Sequence, residues 1–189
     1  MLMAHNRATR ITYLVMLALL LLAPVMGVYP VFLMKLLCFG LFACAFNLLL
    51  GFTGLLSFGH AAFFGFAAYV SGWVVTALGW TPELALLAGA ATGAVLGLLI
   101  GAVAIRRQGI YFAMITLALA QMVYFVCLQA PFTGGEDGLQ GVPRGNLFGL
   151  LSLASDTSMY FFTVLVFVLC FMAITRIVTS PFGQVLKMI

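Results

Sequence analysis

Six long runs with few or no charged residues constrain this chain more than any other feature of its sequence. They are residues 11–28, 31–50, 55–78, 84–105, 110–129 and 159–175. A helix needs about 20 mostly apolar residues to cross the hydrocarbon core of a membrane, and the runs are close to that length. They predict an all-α, polytopic bundle of about six transmembrane helices, in a single membrane domain over residues 1–189.

The composition excludes two classes of protein that the net charge and the cysteines would otherwise suggest. Only 6% of the residues are charged, against about 25% in an ordinary soluble domain, and 65% are hydrophobic. The eight basic residues are scattered, so the formal charge of +4 predicts no face for nucleic acid. The cysteines lie inside apolar runs without disulfide or metal-ligand spacing, which indicates buried thiols and predicts neither a metal nor a cofactor: Cys38, Cys44, Cys127 and Cys170.

The distribution of charge between the runs predicts the orientation of the chain. Cytoplasmic loops of membrane proteins carry an excess of lysine and arginine. With a cytoplasmic N-terminus and six crossings, most basic residues fall inside: Arg7, Arg10, Arg106, Arg107, Arg176 and Lys187. The remaining two and all the acidic residues fall outside: Lys35, Arg144, Glu83, Glu136, Asp137 and Asp156. The first run is then an uncleaved helix, and the longest loop, 130–158, is external.

Small residues recur every three or four positions in two of the runs. The fourth run has a glycine at every fourth position, and the third has a weaker stripe: Gly89, Gly93, Gly97 and Gly101, then Ala61, Gly65, Ala68 and Gly72. Such stripes let helix backbones approach closely within a membrane. They predict either dense packing inside one subunit or a subunit interface that slides during gating.

The boundary between the second and third runs reads NLLLGFTGLLSFGH and predicts a tight inner hairpin or a broken helix around 51–54. Four polar side chains lie there: Asn47, Thr53, Ser57 and His60. Non-helical backbone at membrane depth must be buried in protein or line a wet cavity, and broken helices often bind substrates. The segment is therefore either part of a substrate pathway or a structural bend, with Ser57 or Thr53 as a cap for the following helix.

Three polar side chains inside the runs have two roles open to them. His60 is ionisable within the membrane, which favours function, but a neutral histidine beside a helix break is also a good structural hydrogen-bonding partner. Thr116 and Gln121 lie on different faces of the fifth run. Each of them either lines a pathway or bonds across helices.

Several absences narrow the chemistry. No aspartate or glutamate lies inside a run, which argues against a carboxylate proton relay. The sequence has no G-x-x-x-x-G-K-[ST] loop for nucleotide phosphates, and its two histidines belong to no catalytic triad. The chain is therefore not expected to be an enzyme or to hydrolyse ATP itself.

Four segments, in order along the chain, resemble one family of transport proteins. They are NLLLGFTGLLSFGHAAFFGFAAY, RRQGIYFAMITLALAQM, TGGEDGLQGVP and the closing SPFGQVLKMI. From about residue 47 to residue 189 the chain is similar to the permease subunits, of the LivM type, of bacterial ABC importers for branched-chain amino acids. Members of that family are longer, so the resemblance suggests a fragment that stops at the start of a cytoplasmic coupling helix.

The resemblance also implies partners and a location. Family members work in the inner membrane with a second, related permease, cytoplasmic ATPase subunits and a periplasmic binding protein. By the same resemblance, residues 180–189 begin the contact with the ATPase, through Pro181, Phe182, Gly183 and Lys187. The charged external loop is then either a docking surface for the binding protein or a solvated loop.

Other substrates and other classes of protein stay open at this point. Within the family, urea, short amides and other small solutes compete with branched-chain amino acids. An ion-coupled secondary transporter is disfavoured by the missing carboxylates, whereas a non-transporting anchor or assembly subunit would fit the glycine stripes.

Overall fold

Six helices carry most of the chain in the computed structural model, which describes residues 2–24, 26–107, 109–147, 151–181 and 183. The helices are α1 (Leu2–Leu22), α2 (Pro30–Thr53), α3 (His60–Leu78), α4 (Pro82–Ala104), α5 (Ile110–Gln129) and α6 (Asp156–Thr179). Within those ranges the only strands are β1 (Asn146–Leu147) and β2 (Leu151–Ser152), an antiparallel pair in the loop before α6. The predicted all-α class is confirmed.

Five of the expected spans are present as helices long and apolar enough to cross a membrane, namely α2 to α6. The first span differs from the prediction, because α1 ends at Leu22 and its apolar part is only Ile11–Leu22. Pro24 disfavours helical geometry in the residue before it, and Gly27, at φ 77°, turns the chain. The predicted run 11–28 therefore contains a shorter apolar helix followed by a turn.

The break between α2 and α3 also lies a few residues later than predicted. α2 continues past residue 50 to Thr53, and α3 begins at His60 rather than at residue 55. Gly54 ends α2 in the left-handed conformation, at φ 66°, and its N–H donates to the Leu50 carbonyl at 3.2 Å. The non-helical segment, called the break from here on, is therefore residues 54–59.

α2 and α6 pack side by side and parallel, although they are far apart in sequence. Their shared core consists of Leu33, Leu37, Tyr160 and Val164. α1 lies antiparallel to α6, and the buried Tyr160 hydroxyl donates to the Leu20 carbonyl near its end at 2.6 Å. These three helices form the first of two groups.

The second group contains α3, α4 and α5. α3 and α4 are antiparallel, with Ser71 and Ala67 of α3 facing Gly89 and Gly93 of α4. α5 runs parallel to α3, because the segments 58–60 and 116 meet at one end and Cys127 lies beside Tyr69 at the other. The two groups are connected in sequence by the break and by the loop between α5 and α6.

The two groups meet along an aromatic seam, formed by Phe39, Phe42 and Phe46 of α2 with His60 and Phe64 of α3. The ring of Phe64 lies 5.5 Å from that of Phe42 and 6.4 Å from that of Phe39, between ring centroids. α2 and α3 therefore contact each other here through aromatic side chains.

The described parts of the loop after α5, residues 130–147 and 151–155, fold over one end of the second group. It contains two short 3-10 turns, Pro131–Thr133 and Gly135–Asp137, before the strand pair. The Thr133 hydroxyl, fully buried, donates to the carbonyls of Ala130 and Cys127 and so closes the end of α5. Arg144 pairs with Asp156 at 2.5 Å, both partly exposed, and also donates to the Ala154 carbonyl.

Candidate functional site

The break is held by a hydrogen bond from α5. Residues 54–59 leave helical geometry, so their N–H groups need partners outside a helix. The Phe58 N–H donates to the Thr116 hydroxyl at 3.2 Å, and that hydroxyl donates to the Ala113 carbonyl at 3.0 Å. Thr116 is only 1% exposed. It bonds across elements inside the protein, which is one of the two roles that the sequence left open.

Ser57 and Thr53 bond to backbone groups on opposite sides of the break. The buried Ser57 hydroxyl accepts from the Gly59 N–H at 3.2 Å, just ahead of α3. The Thr53 hydroxyl donates to the Leu49 carbonyl at 2.6 Å, within the last turn of α2. The expected side-chain cap on the first turn of α3 is therefore not formed by either residue.

His60 lies where α3 begins and where α2 meets it. Its half-buried ring stands edge-on to Phe46 of α2, with centroids 5.4 Å apart, and to Phe63 at 5.7 Å. Because the break ends later than predicted, His60 is the first residue of the helix and does not lie well inside it.

A cavity of about 260 Å³, called the break cavity from here on, brings Ser57, His60 and Thr116 together. Its other walls are apolar residues and glycines: Leu49, Leu55, Phe63, Gly97, Ile100, Gly101, Ile105 and Phe112. Among these lining residues, only His60 has an ionisable side chain. In the described ranges, no group of three His, Cys, Asp or Glu side chains is placed to hold a metal ion. The cavity therefore offers apolar surface and a few hydrogen-bonding groups, as sites for small organic solutes do.

Gln121 lies apart from these residues, in a second cavity of about 370 Å³ between α3 and α5. We call this the α3–α5 cavity. Small residues form much of its lining, with Phe58 near the break and Tyr69 further along α3: Ala61, Ala62, Gly65 and Ala120. Phe58 thus faces one cavity, while its neighbour Ser57 faces the other.

Asn47 and Thr53 do not line either of these two cavities. Asn47 borders a shallow pocket of about 150 Å³ against α6, with Phe171 and Ile174. Of the six residues predicted for a substrate pathway, the structure therefore groups three, places Gln121 across the break from them and leaves two on α2.

The glycine stripe on α4 has two halves with different surroundings. A Cβ added at Gly89 would lie 2.9 Å from the Ala67 carbonyl oxygen, and one added at Gly93 would lie 3.6 Å from the Ala67 Cβ. At Gly97 and Gly101 such an atom would have no neighbour within 4 Å. The first half packs closely against α3, and the second half lines the break cavity.

The face of α3 that packs on α4 is not the stripe that the sequence suggested. Ala67 and Ser71 make the contacts with α4, while Gly65 has open space beside it. Gly72 instead faces the loop after α5, near Leu139 and Val142. A role for Gly65 and Gly72 at an interface with another subunit stays a prediction.

The predicted ATPase contact begins just after α6. Pro181 and Gly183 are described, whereas Phe182 and Lys187 lie outside the described residues. The Ser180 hydroxyl donates to the Ile177 carbonyl at 2.6 Å, and Gly183 is buried against the end of α6. The role of this segment in an ATPase contact stays a prediction.

Sequence reasoning missed the apolar wall of the break cavity and the aromatic rings around His60. Ile100 and Phe112 are both 6% exposed, and Phe46 and Phe63 hold the His60 ring. One signal was present, because phenylalanines at 39, 42 and 46 share a helix face at spacings of three and four residues. No comparable signal marked Ile100 and Phe112, which lie within continuous apolar sequence.

Comparison with known proteins points to transport. A family model described as "Branched-chain amino acid transport system / permease component" matches residues 29–189. The "High-affinity branched-chain amino acid transport system permease protein LivM" of Escherichia coli strain K12 is 29% identical over 166 aligned residues, which cover 73% of this chain and 38% of that protein. The protein of the same name from Salmonella typhimurium strain LT2 is 33% identical over 110 residues, covering 55% of this chain and 25% of that protein.

The chain therefore spans less than two fifths of the length of these curated relatives. No solved structure matches it at a significant level.

Proposed function

The chain belongs to the family of permease components of branched-chain amino acid transport systems, and we propose that it is a membrane-spanning part of an ATP-driven ABC importer. The substrate proposed is a branched-chain or related amino acid, delivered by a periplasmic binding protein. The family match over residues 29–189 carries this proposal. Five membrane-length helices in a multi-pass chain are what such a permease needs.

The energy for transport is proposed to come from separate subunits. The sequence has no phosphate-binding loop of the Walker type. Glu83 and Asp156 lie in the first turns of α4 and α6, and the six helices carry no acidic residue deeper than that. Proton relays in pumps and transporters use chains of aspartate, glutamate or histidine at membrane depth, and His60 stands without such a chain. Cytoplasmic ATPase subunits therefore explain the composition better than an ion gradient does.

The break cavity suits a zwitterion with an apolar side chain. Its walls are mostly apolar, and Ser57, His60 and Thr116 supply hydrogen-bonding groups. The first turn of α3 begins at His60, and the positive end of a helix dipole stabilises a carboxylate. We assign substrate contact to Ser57 and His60 as the residues closest to that helix end.

The ends of the bundle carry different charges, which supports the predicted orientation. Successive helices alternate in direction, so Arg106, Arg107 and Arg176 lie at the end opposite the loop with Arg144. The positive-inside bias makes the arginine-rich end cytoplasmic, with the N-terminus on that side of the bacterial inner membrane. The ATPase subunits then meet the segment after α6.

The other partners are proposed for the remaining surfaces. A second, related permease packs laterally within the lipid, and the binding protein meets the external loop. In that loop Arg144 and Asp156 pair with each other, whereas Glu136 and Asp137 are exposed. The last two are the carboxylates best placed to meet a docking protein.

Uptake by proteoliposomes tests the proposal. The full reading frame that encodes this sequence is assembled with its partner permease, ATPase subunits and binding protein, and labelled leucine is added on the binding-protein side. Accumulation should require ATP and the binding protein. It should persist after proton and sodium gradients are dissipated with ionophores.

Three other outcomes would replace the proposal. Uptake that ignores ATP but collapses with an ion gradient identifies a secondary transporter. ATP-dependent uptake of urea or short amides, with no competition by excess leucine, identifies a different substrate class in the same family. Correct assembly without uptake of any of these solutes identifies an anchor or assembly subunit.

A further inference from the structure

We propose that Thr116 is a positioning residue of the permease, which fixes the break through Phe58 so that Ser57 and His60 face the break cavity. The hydrogen bond joins positions 58 residues apart in sequence, on α5 and on the non-helical segment. The effect on transport rests on the proposed function above. The effect on the position of the break can be measured without it.

The bonding of Thr116 differs from that of other threonines in the helices. Thr92, Thr163 and Thr179 donate to carbonyls three or four residues earlier in their own helices. Thr116 does the same with Ala113, and its oxygen also accepts the N–H of Phe58. A partly buried backbone N–H that loses its partner is costly, so this second bond constrains the break.

Contacts beside the bond also place the break next to α5. Ser57 is 3% exposed, and a Cβ added at Gly59 would lie 3.4 Å from the Ser57 hydroxyl and 3.6 Å from the Thr116 Cβ. These are ordinary van der Waals distances, so the break lies next to α5 at the residue that bonds it.

The position of the bond explains why it matters for a pathway. Phe58 lines the α3–α5 cavity, and Ser57 and His60 line the break cavity. Because the neighbours Ser57 and Phe58 face different cavities, a small shift of the break would change which side chains line each cavity. Thr116 fixes the position of the break by accepting the Phe58 N–H, which lies between the side chains of Ser57 and Phe58.

The transport part of the test uses three variants in the proteoliposome system described above. Thr116→Val keeps the shape of the side chain but removes the hydroxyl, and Thr116→Ser keeps the hydroxyl. Thr163→Val is the matched control, because the Thr163 hydroxyl bonds only within α6, to Met159. We expect Thr116→Val to lower Vmax/KM for leucine about fivefold or more, and the other two to stay within about twofold of wild type.

The structural part measures the break directly. Ser57→Cys is introduced into a chain whose four native cysteines are replaced, and its reaction with a small maleimide is timed in the assembled complex. Adding Thr116→Val should speed labelling at least fivefold, whereas adding Thr116→Ser or Thr163→Val should leave it nearly unchanged. If Thr116→Val lowers the yield of complex, Thr116→Ala serves in its place.

Unchanged labelling in Thr116→Val overturns the positioning role. Faster labelling with normal leucine uptake overturns the link to transport. A wild-type complex that moves no leucine contradicts the proposed function, and the labelling rates still decide whether Thr116 holds the break.

Discussion

Ser71 of α3 lies directly against Gly89 of α4. The Ser71 hydroxyl donates to the Ala67 carbonyl at 2.8 Å, so it is held in place. A Cβ at Gly89 would overlap that hydroxyl and come within 2.9 Å of the same carbonyl oxygen. Because backbone cannot move aside as a flexible side chain can, the two helices depend on glycine here.

Gly89→Ala should destabilise the α3–α4 pair. Forcing extra atoms into a tight contact costs about 1–3 kcal/mol. We expect a lower thermal unfolding midpoint in detergent and less monodisperse protein. Gly97→Ala is the matched control, since an added Cβ there meets nothing within 4 Å. Equal losses in the two variants would show that close approach at Gly89 is not the cause.

Tyr160→Phe should loosen the end of α1. The variant removes only the hydroxyl that binds the Leu20 carbonyl, a loss of about 1 kcal/mol. Hydrogen exchange should become faster at residues 22–27, while α4 is unaffected. Tyr124→Phe, on a side chain that is 57% exposed, should change neither region. Equal exchange in wild type and Tyr160→Phe would contradict the assigned bond.

His60→Phe separates the polar role of His60 from its packing role. Phenylalanine can keep the edge-on contacts with Phe46 and Phe63 but offers no hydrogen-bonding nitrogen. Leucine uptake should fall about tenfold or more while the yield of assembled complex stays near wild type. His60→Ala should lower both. Normal uptake by His60→Phe would assign His60 to packing alone.

Thiol labelling of single-cysteine variants should establish the orientation. Arg107 and Gln140 are both exposed and lie at opposite ends of the bundle. Gln140→Cys should react with a membrane-impermeant maleimide once the outer membrane is opened. Arg107→Cys should react only after the inner membrane is permeabilised. The reverse result would invert the membrane orientation and with it the proposed surface for the ATPase.

Much of the fold is predictable from the sequence because hydrocarbon imposes a minimum helix length. The predicted run 110–129 coincides with α5, and the fourth run, 84–105, differs from α4 by two residues at its start and one at its end. The end of α2 and the start of α3 were less predictable. LLSF reads as continuous apolar helix, and only the conformation of Gly54 and the hydrogen bonds of Phe58 and Gly59 show that it is not.

The site was predictable as a list of polar residues but not as an arrangement. A polar side chain inside an apolar run is conspicuous, so Ser57, His60 and Thr116 were found. Their meeting depends on α5 lying parallel to α3, which no local pattern encodes. The same holds for the glycines of α4, because the spacing is uniform while Gly89 packs and Gly97 lines a cavity.

The hydrogen bond between Tyr160 of α6 and Leu20 of α1 has a consequence for biosynthesis. Leu20 and Tyr160 are separated by 140 residues, so at 5–20 residues per second the ribosome needs roughly 7–28 seconds to reach the second after the first. During that interval α1 and α2 sit in the translocon or in lipid without their permanent neighbour, while α3, α4 and α5 can already associate. A chain whose synthesis ends before α6 could therefore fold its second helix group. Its first group would lack the helix against which α1 and α2 pack.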